Sequence, residues 1–112
     1  MTERRVYLDV GGYIGETVAV ATQPRWAFDR IWTFEPTAGC VAKLRELERG
    51  DSRVTVVPAG WWSSDAEMEI YDPGTLHASV EAAASRHGKL ERCQFIDAAA
   101  WMAEHINADD RV

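Results

Sequence analysis

The sequence is short of the residues that several common functions require. It holds two cysteines, Cys40 and Cys93, far apart and each without a second cysteine nearby. Neither a zinc knuckle nor a C-x-x-C redox pair can be built from them, and both read as small buried hydrophobes. Basic charge is also scarce, with 12 Lys and Arg against 18 Asp and Glu and a formal charge of −6. A surface that holds nucleic acid or anionic lipid through released counterions needs the opposite sign, so neither partner is expected. No apolar run reaches the ~18 residues of a membrane-spanning helix. The start, Met1-Thr2-Glu3-Arg4-Arg5, leads into a strand-like segment rather than an apolar signal core, and the expectation is a cytoplasmic protein. No Gly-Lys-Ser/Thr occurs, which excludes a Walker loop. The histidines His77, His87 and His105 are widely spaced and lack a carboxylate partner, so no metal site is expected.

What is present suits one globular unit: 112 residues, 46% hydrophobic and 27% charged, without repeats or low-complexity tracts. Strand and helix patterns alternate. Val6-Tyr7-Leu8-Asp9-Val10 is an apolar run that stops at Gly11-Gly12, as a buried parallel strand before a tight turn would. From Gly15 to about Thr22, residues Ile14, Val18, Ala19 and Ala21 can line one helical face, and Pro24 limits the helix. Ile31-Trp32-Thr33-Phe34 is a second strand, closed by Glu35-Pro36 because proline cannot donate to a ladder. Thr37 can cap a helix from about Ala38 to Arg49, with Cys40, Leu44 and Leu47 on one face and Gly50 at its end. Arg53 to Val57 reads as a third strand that Pro58 stops. The β-α-β-α-β order with short connections predicts parallel strands and an α/β fold. Beyond Pro58, Glu67 to Tyr71 alternates like an antiparallel or edge strand before the turn Asp72-Pro73-Gly74. His77 to Gly88 is Ala-rich and weakly patterned, Arg92 to Ile96 is strand-like, and Asp97 can cap a helix from Ala98 to about His105.

Two places can carry chemistry. Asp9-Val10-Gly11-Gly12-Tyr13-Ile14-Gly15 sets a carboxylate at a strand end before a glycine turn that opens a helix, and glycines there let a ligand approach the backbone. A dinucleotide fingerprint would need glycine where Val10 stands, and Asp9 would bring negative charge toward the phosphates. The turn therefore suits a ligand with a positive end, an ammonium or a sulfonium. Glu35, at the end of the second strand, can accept hydrogen bonds from the vicinal hydroxyls of a ribose, which points to a nucleoside.

These residues carry a resemblance. Asp9 to Thr17, Phe34-Glu35-Pro36, Lys43-Leu44 and Pro58-Ala59-Gly60-Trp61-Trp62-Ser63 are similar, in order and spacing, to motifs of the FkbM family of S-adenosylmethionine-dependent methyltransferases, over roughly residues 6 to 101. The family's turn is of the DxGAYxGDT or DxGANxGDT type; here Gly12 stands for the usual Ala and Glu16 for the usual Asp. The resemblance implies a Rossmann-like class I methyltransferase fold of three α/β/α layers, with S-adenosylmethionine as cofactor. It implies that Asp9, Gly11, Gly12, Tyr13 and Gly15 surround the methionine part, that Glu35 with Pro36 holds the ribose, and that Ala59-Gly60-Trp61 lies near the adenine. The family continues into a strand bearing a KxDxEG motif, which is absent here. The expectation is a single cofactor-binding domain, residues 1–112, cut before a fourth parallel strand. It would keep three parallel strands plus a small β-hairpin or edge-strand region.

The implied reaction is O-methylation of a small metabolite or sugar, without a metal. No general base is evident. The alternative is a non-catalytic nucleotide-binding or interaction module that pairs an uncovered sheet edge with another chain, as in a homo-oligomer. A dehydrogenase half-domain ranks third. Among the aromatics, Trp26, Trp32 and Trp101 read as packing residues, one of Trp61 and Trp62 faces a ligand and the other the core, and Tyr13 is either a lid or a packing residue. His77 falls in a loop that could border an acceptor.

Overall fold

The computed structural model describes residues 3–71, 73 and 90–112. Five elements follow the expected β-α-β-α-β order: β1 (Val6–Val10), α1 (Glu16–Ala21), β2 (Arg30–Phe34), α2 (Ala38–Gly50) and β3 (Val54–Val57). The three strands form one parallel sheet in the order β1-β2-β3, with Asp9 level with Thr33 and Val10 with Phe34. A second sheet joins β4 (Gly60–Trp62), β5 (Ala66–Tyr71) and β6 (Leu90–Asp97) in the order β4-β6-β5, and α3 (Ala98–His105) closes the chain's fold. The fold is α/β with a three-stranded parallel sheet.

Alternation along β2 separates the layers. Ile31 and Thr33 face the side covered by α1 and α2, where Val18, Ala21, Ile31, Leu44, Val54 and Val56 form a buried apolar cluster. Trp32 and Phe34 face the other side and meet Trp101 of α3, with ring centroids 5.1 and 4.8 Å away. Helices therefore lie on both faces of the parallel sheet, as parallel sheets require.

Several local expectations need correction. Ala19 is exposed, so the buried face of α1 narrows to Val18 and Ala21. Thr37 occupies the N-cap position of α2 without capping it, because its hydroxyl turns back to Glu35. Gly50 is the last helical residue and its φ is not positive; the helix ends instead at an extended Asp51. Residues 60–62, for which no separate strand was expected, form a strand parallel to β6. Trp26 is 41% exposed, with Arg25 over its ring, rather than packed in a core. Asp97 does cap α3, accepting the Ala100 N–H at 3.0 Å. β5 is antiparallel to β6 and lies at the edge of its sheet, as the alternation of residues 67–71 suggested. His77, His87 and the stretch 77–88 lie outside the described residues, as do Asp72 and Gly74 of the expected turn.

The outer edge of β1 is partly covered. Arg4 N–H groups meet the Asp110 carboxylate and the His105 carbonyl, and the Val6 N–H donates to the Arg111 carbonyl at 2.7 Å. Arg5 and Arg111 thus form a parallel bridge. Past that bridge, β1 has no strand partner on this side among the described residues.

Candidate functional site

The glycine turn connects the carboxyl end of β1 to α1, beside the carboxyl end of β2. Parallel α/β sheets place their ligands at this end, because the strand-to-helix turns converge there. The Gly11 and Gly12 N–H groups both donate to the Phe34 carbonyl, at 2.8 and 3.0 Å, which anchors the turn to β2. The chain then reverses through three left-handed residues, Gly11 (φ +79°), Tyr13 (φ +50°) and Gly15 (φ +94°). Tyr13 is not a glycine, so its conformation must be held from outside. Glu35 holds it: the Tyr13 N–H donates to Glu35 Oε1 at 3.0 Å.

The Glu35 carboxylate is 7% exposed and accepts two further bonds at Oε2, from the Thr37 N–H at 3.0 Å and the Thr37 hydroxyl at 2.7 Å. One carboxylate therefore ties the glycine turn to the entry of α2. A carboxylate offers about four acceptor positions, so roughly one remains for a ligand. Pro36 keeps this link extended between strand and helix.

Asp9 is also 7% exposed and accepts the Thr33 hydroxyl at 3.0 Å. Its carboxyl is held above the ordinary range chiefly by burial; the nearby Glu35 charge adds to the rise, and the Thr33 hydrogen bond opposes it. Two buried acids at neighbouring strand ends make the location electronegative. The turn residues Gly11, Gly12, Tyr13 and Ile14, with Glu16 and Thr17, line a cavity of about 410 Å³. That volume is within the range of small-molecule sites, about 300–1,000 Å³. The lining contains no cation, which disfavours a phosphate and suits a ligand with a positive centre. A smaller, more apolar groove of about 210 Å³, between Tyr7, Trp26 and Phe28, lies beside α1 away from these strand ends. Like the larger cavity, it has neither Asp9 nor Glu35 in its lining.

The structure brings together Asp9, Gly11, Gly12, Tyr13, Gly15, Glu35 and Pro36. Ala59, Gly60 and Trp61 lie after the carboxyl end of β3, with packing duties of their own. A Cβ on Gly60 would run into the Phe95 ring, and Trp61 stands 5.0 Å from Phe34 on the α3 side of the sheet. Trp62 is 44% exposed against Phe95. Nothing in this packing assigns the Ala59–Trp61 segment a ligand. Burial pushes the Cys93 thiol up to about 12, which makes it inert at neutral pH. Among the described residues no group of His, Cys, Asp and Glu could hold a metal ion, and no helix is long and apolar enough to cross a membrane. His105, half-buried, stacks on Trp101 with centroids 4.4 Å apart.

Sequence reasoning passed over Thr33 and the Thr37 hydroxyl, treating one as a strand former and the other as a cap. A signal for Thr33 existed: a hydroxyl inside an otherwise apolar strand, level with an acid on the adjacent strand, needs a buried partner.

No protein-family model matches the chain, and no curated protein matches it. A solved structure, methyltransferase FkbM from Methylobacillus flagellatus KT, is similar over 60% of this chain and 19% of its own, at 27% identity and a TM-score of 0.48. The chain thus spans about a fifth of that protein. At this TM-score the likeness carries no weight for fold or activity, and the functional reading rests on the turn and its two acids.

Proposed function

We propose that residues 1–112 form a single S-adenosylmethionine-binding domain of Rossmann-like methyltransferase type, serving O-methylation of a small metabolite or sugar. The observation that carries this is the pair of buried acids, Asp9 and Glu35, at adjacent parallel strand ends behind a left-handed glycine turn, with Glu35 bonded to the turn at the Tyr13 N–H. In this reading Asp9, Gly11, Gly12, Tyr13 and Gly15 surround the cationic methionine end. Glu35, with Pro36 fixing its place, offers its remaining acceptor position to a ribose hydroxyl. Ala59, Gly60 and Trp61 border the adenine from the end of β3, a role assigned by the resemblance alone.

The cofactor would supply an activated methyl group. The chain supplies position: its buried acids attract the positive end, the turn fixes the approach, and such alignment is worth several kcal/mol, about 7–11 in favourable cases. The acids have a second use, since their negative charge beside the turn disfavours a phosphorylated nucleotide there.

Calorimetric titration with S-adenosylmethionine and its demethylated product tests the reading. Heat of binding is expected for both, and Glu35→Ala should weaken it about tenfold or more through lost charge-assisted hydrogen bonds. A folded chain that gives no heat at about 1 mM ligand overturns cofactor binding. Binding that Glu35→Ala leaves unchanged overturns the ribose role.

One observation favours a second reading, a non-catalytic interaction module. The side of β1 beyond the Arg5–Arg111 bridge lacks a strand partner among the described residues, and Val10 there is 51% exposed. Open strand edges recruit other strands. Sedimentation velocity over a concentration series separates the two: reversible dimerisation without ligand binding supports the module.

A further inference from the structure

Thr33 is fully buried, in the centre of a parallel sheet and beneath α2. A hydroxyl so placed is unfavourable unless it is hydrogen-bonded, by about 1–3 kcal/mol on mutational scales. Register supplies the partner: Asp9 stands level with Thr33 on β1, on the same face, and Thr33 Oγ1 donates to Asp9 Oδ2 at 3.0 Å. Among the described residues this is the hydrogen bond that orients Asp9, and it leaves Oδ1 without a protein donor.

Gly12 completes the arrangement. A Cβ built on Gly12 would collide with Thr33 Oγ1 and lie 3.0 Å from Leu44 Cδ1 and 3.2 Å from Asp9 Oδ2. Its φ is not positive, so backbone strain is no bar to a side chain here. The bar is the Thr33 hydroxyl. Residues 9, 12 and 33 therefore share one volume: the hydroxyl occupies the space of a missing methyl and uses it to hold the acid.

We propose that Thr33 is a positioning residue that fixes the Asp9 carboxylate, through Oδ2, with Oδ1 free for the positive end of a ligand, and that Gly12 lacks a side chain to admit the Thr33 hydroxyl. The ligand part of this rests on the S-adenosylmethionine reading above; the coupling of residues 9, 12 and 33 does not.

The test uses the whole chain and two kinds of readout. In the ligand-free protein, the Asp9 carboxyl is titrated by carbon NMR. Thr33→Val removes the donor at nearly constant shape, so the Asp9 midpoint should move upward, and Thr33→Ser should return it to the wild-type position. In parallel, urea unfolding should show that Gly12→Ala destabilises the Thr33 protein and that Thr33→Ala in the same chain recovers most of the loss. An Asp9 midpoint unmoved by Thr33→Val, or a Gly12→Ala penalty that is equal with Thr33 and with Ala at position 33, overturns the proposal. Calorimetry with S-adenosylmethionine adds the functional arm, in which Thr33→Val lowers affinity about tenfold and Thr33→Ser restores it. Wild-type protein that shows the Asp9 shift and the Gly12–Thr33 coupling yet binds no S-adenosylmethionine overturns the cofactor reading and leaves the positioning device standing. Binding that is present and indifferent to Thr33→Val overturns the proposed service to the ligand.

Discussion

The two faces of β2 differ in kind although they belong to five consecutive residues. On one face Trp32 and Phe34 meet Trp61, Trp101 and His105 in an aromatic layer that contains no acid. On the other, Thr33 bonds a buried carboxylate, and the strand's carbonyl end anchors a left-handed turn. The aromatic face gains its energy from area removed from water and is indifferent to small changes of orientation. The opposite face also buries area at Ile31, but at Thr33 its groups are held by directional bonds, so that end is specific and easily disturbed. The same strand thereby supports an aromatic surface and a surface carrying the buried acid, with the sheet itself keeping them apart.

The largest expected effect tests the aromatic side. Trp101→Ala should destabilise the chain by about 3–5 kcal/mol in urea, as large-to-small changes in a core do. Abolished ligand binding with unchanged stability would reverse the assignment of the two faces. Glu35→Ala comes next. It leaves the Tyr13 and Thr37 N–H groups without their acceptor, and a loss of about 2 kcal/mol or more is expected, since each stranded buried donor is unfavourable by about 1–3 kcal/mol. Faster amide exchange confined to residues 11–15 and 37–40 would identify Glu35 as the tie between turn and helix. Gly11→Ala should be milder, about 1–2 kcal/mol, because a Cβ there has no atom within 4 Å and the left-handed backbone alone resists it. A stability loss of that size with unimpaired ligand affinity would show that the ligand does not approach Gly11.

The smallest effect is in the pH dependence. Asp9 has its folded carboxyl raised above the ordinary 3.8, so the folded chain binds this proton more tightly than the unfolded chain does. Its contribution to stability is therefore fully present below about 3.8 and is lost as pH rises through the higher folded value. Asp110, lowered by Arg4, and Asp51, lowered by Arg53, act in the opposite sense and lose their contribution on acidification. Subtracting the stability profile of Asp9→Asn from that of wild type should isolate the downward slope. At pH 7 Asp9→Asn should be slightly more stable than wild type, by less than Gly11→Ala changes it, while binding a cationic ligand more weakly. A variant of lower stability at pH 7 would mean that the ionised Asp9 carboxylate is well satisfied in the fold.

Much of the architecture was legible in local pattern. The apolar run 6–10, the proline-closed strand before Pro36 and the spacing of Cys40, Leu44 and Leu47 placed β1, β2 and α2 to within a residue or so. Capping by Asp97 was readable because it depends on one side chain and an amide three residues on. The Thr37 cap was not, because two hydrogen-bonding roles compete for one hydroxyl, and the nearby Glu35 carboxylate accepts it in preference to the helix amides. Strand β4 escaped notice for a related reason. Gly60 to Trp62 has no alternation of its own and becomes a strand only because β6, more than 30 residues later in the chain, offers it a parallel partner.

By itself the sequence determined the order of the first five elements, the turn chemistry and the identity of the two acids at the strand ends, since all three follow from composition over a few adjacent residues. Only the tertiary structure decided how those acids are held. Asp9 meets Thr33 across 24 positions, Glu35 reaches Tyr13 across 22, and Trp61 turns away from both into the aromatic layer. Such pairings depend on strand register and on which face of the sheet a side chain takes, and those are fixed only when the strands align.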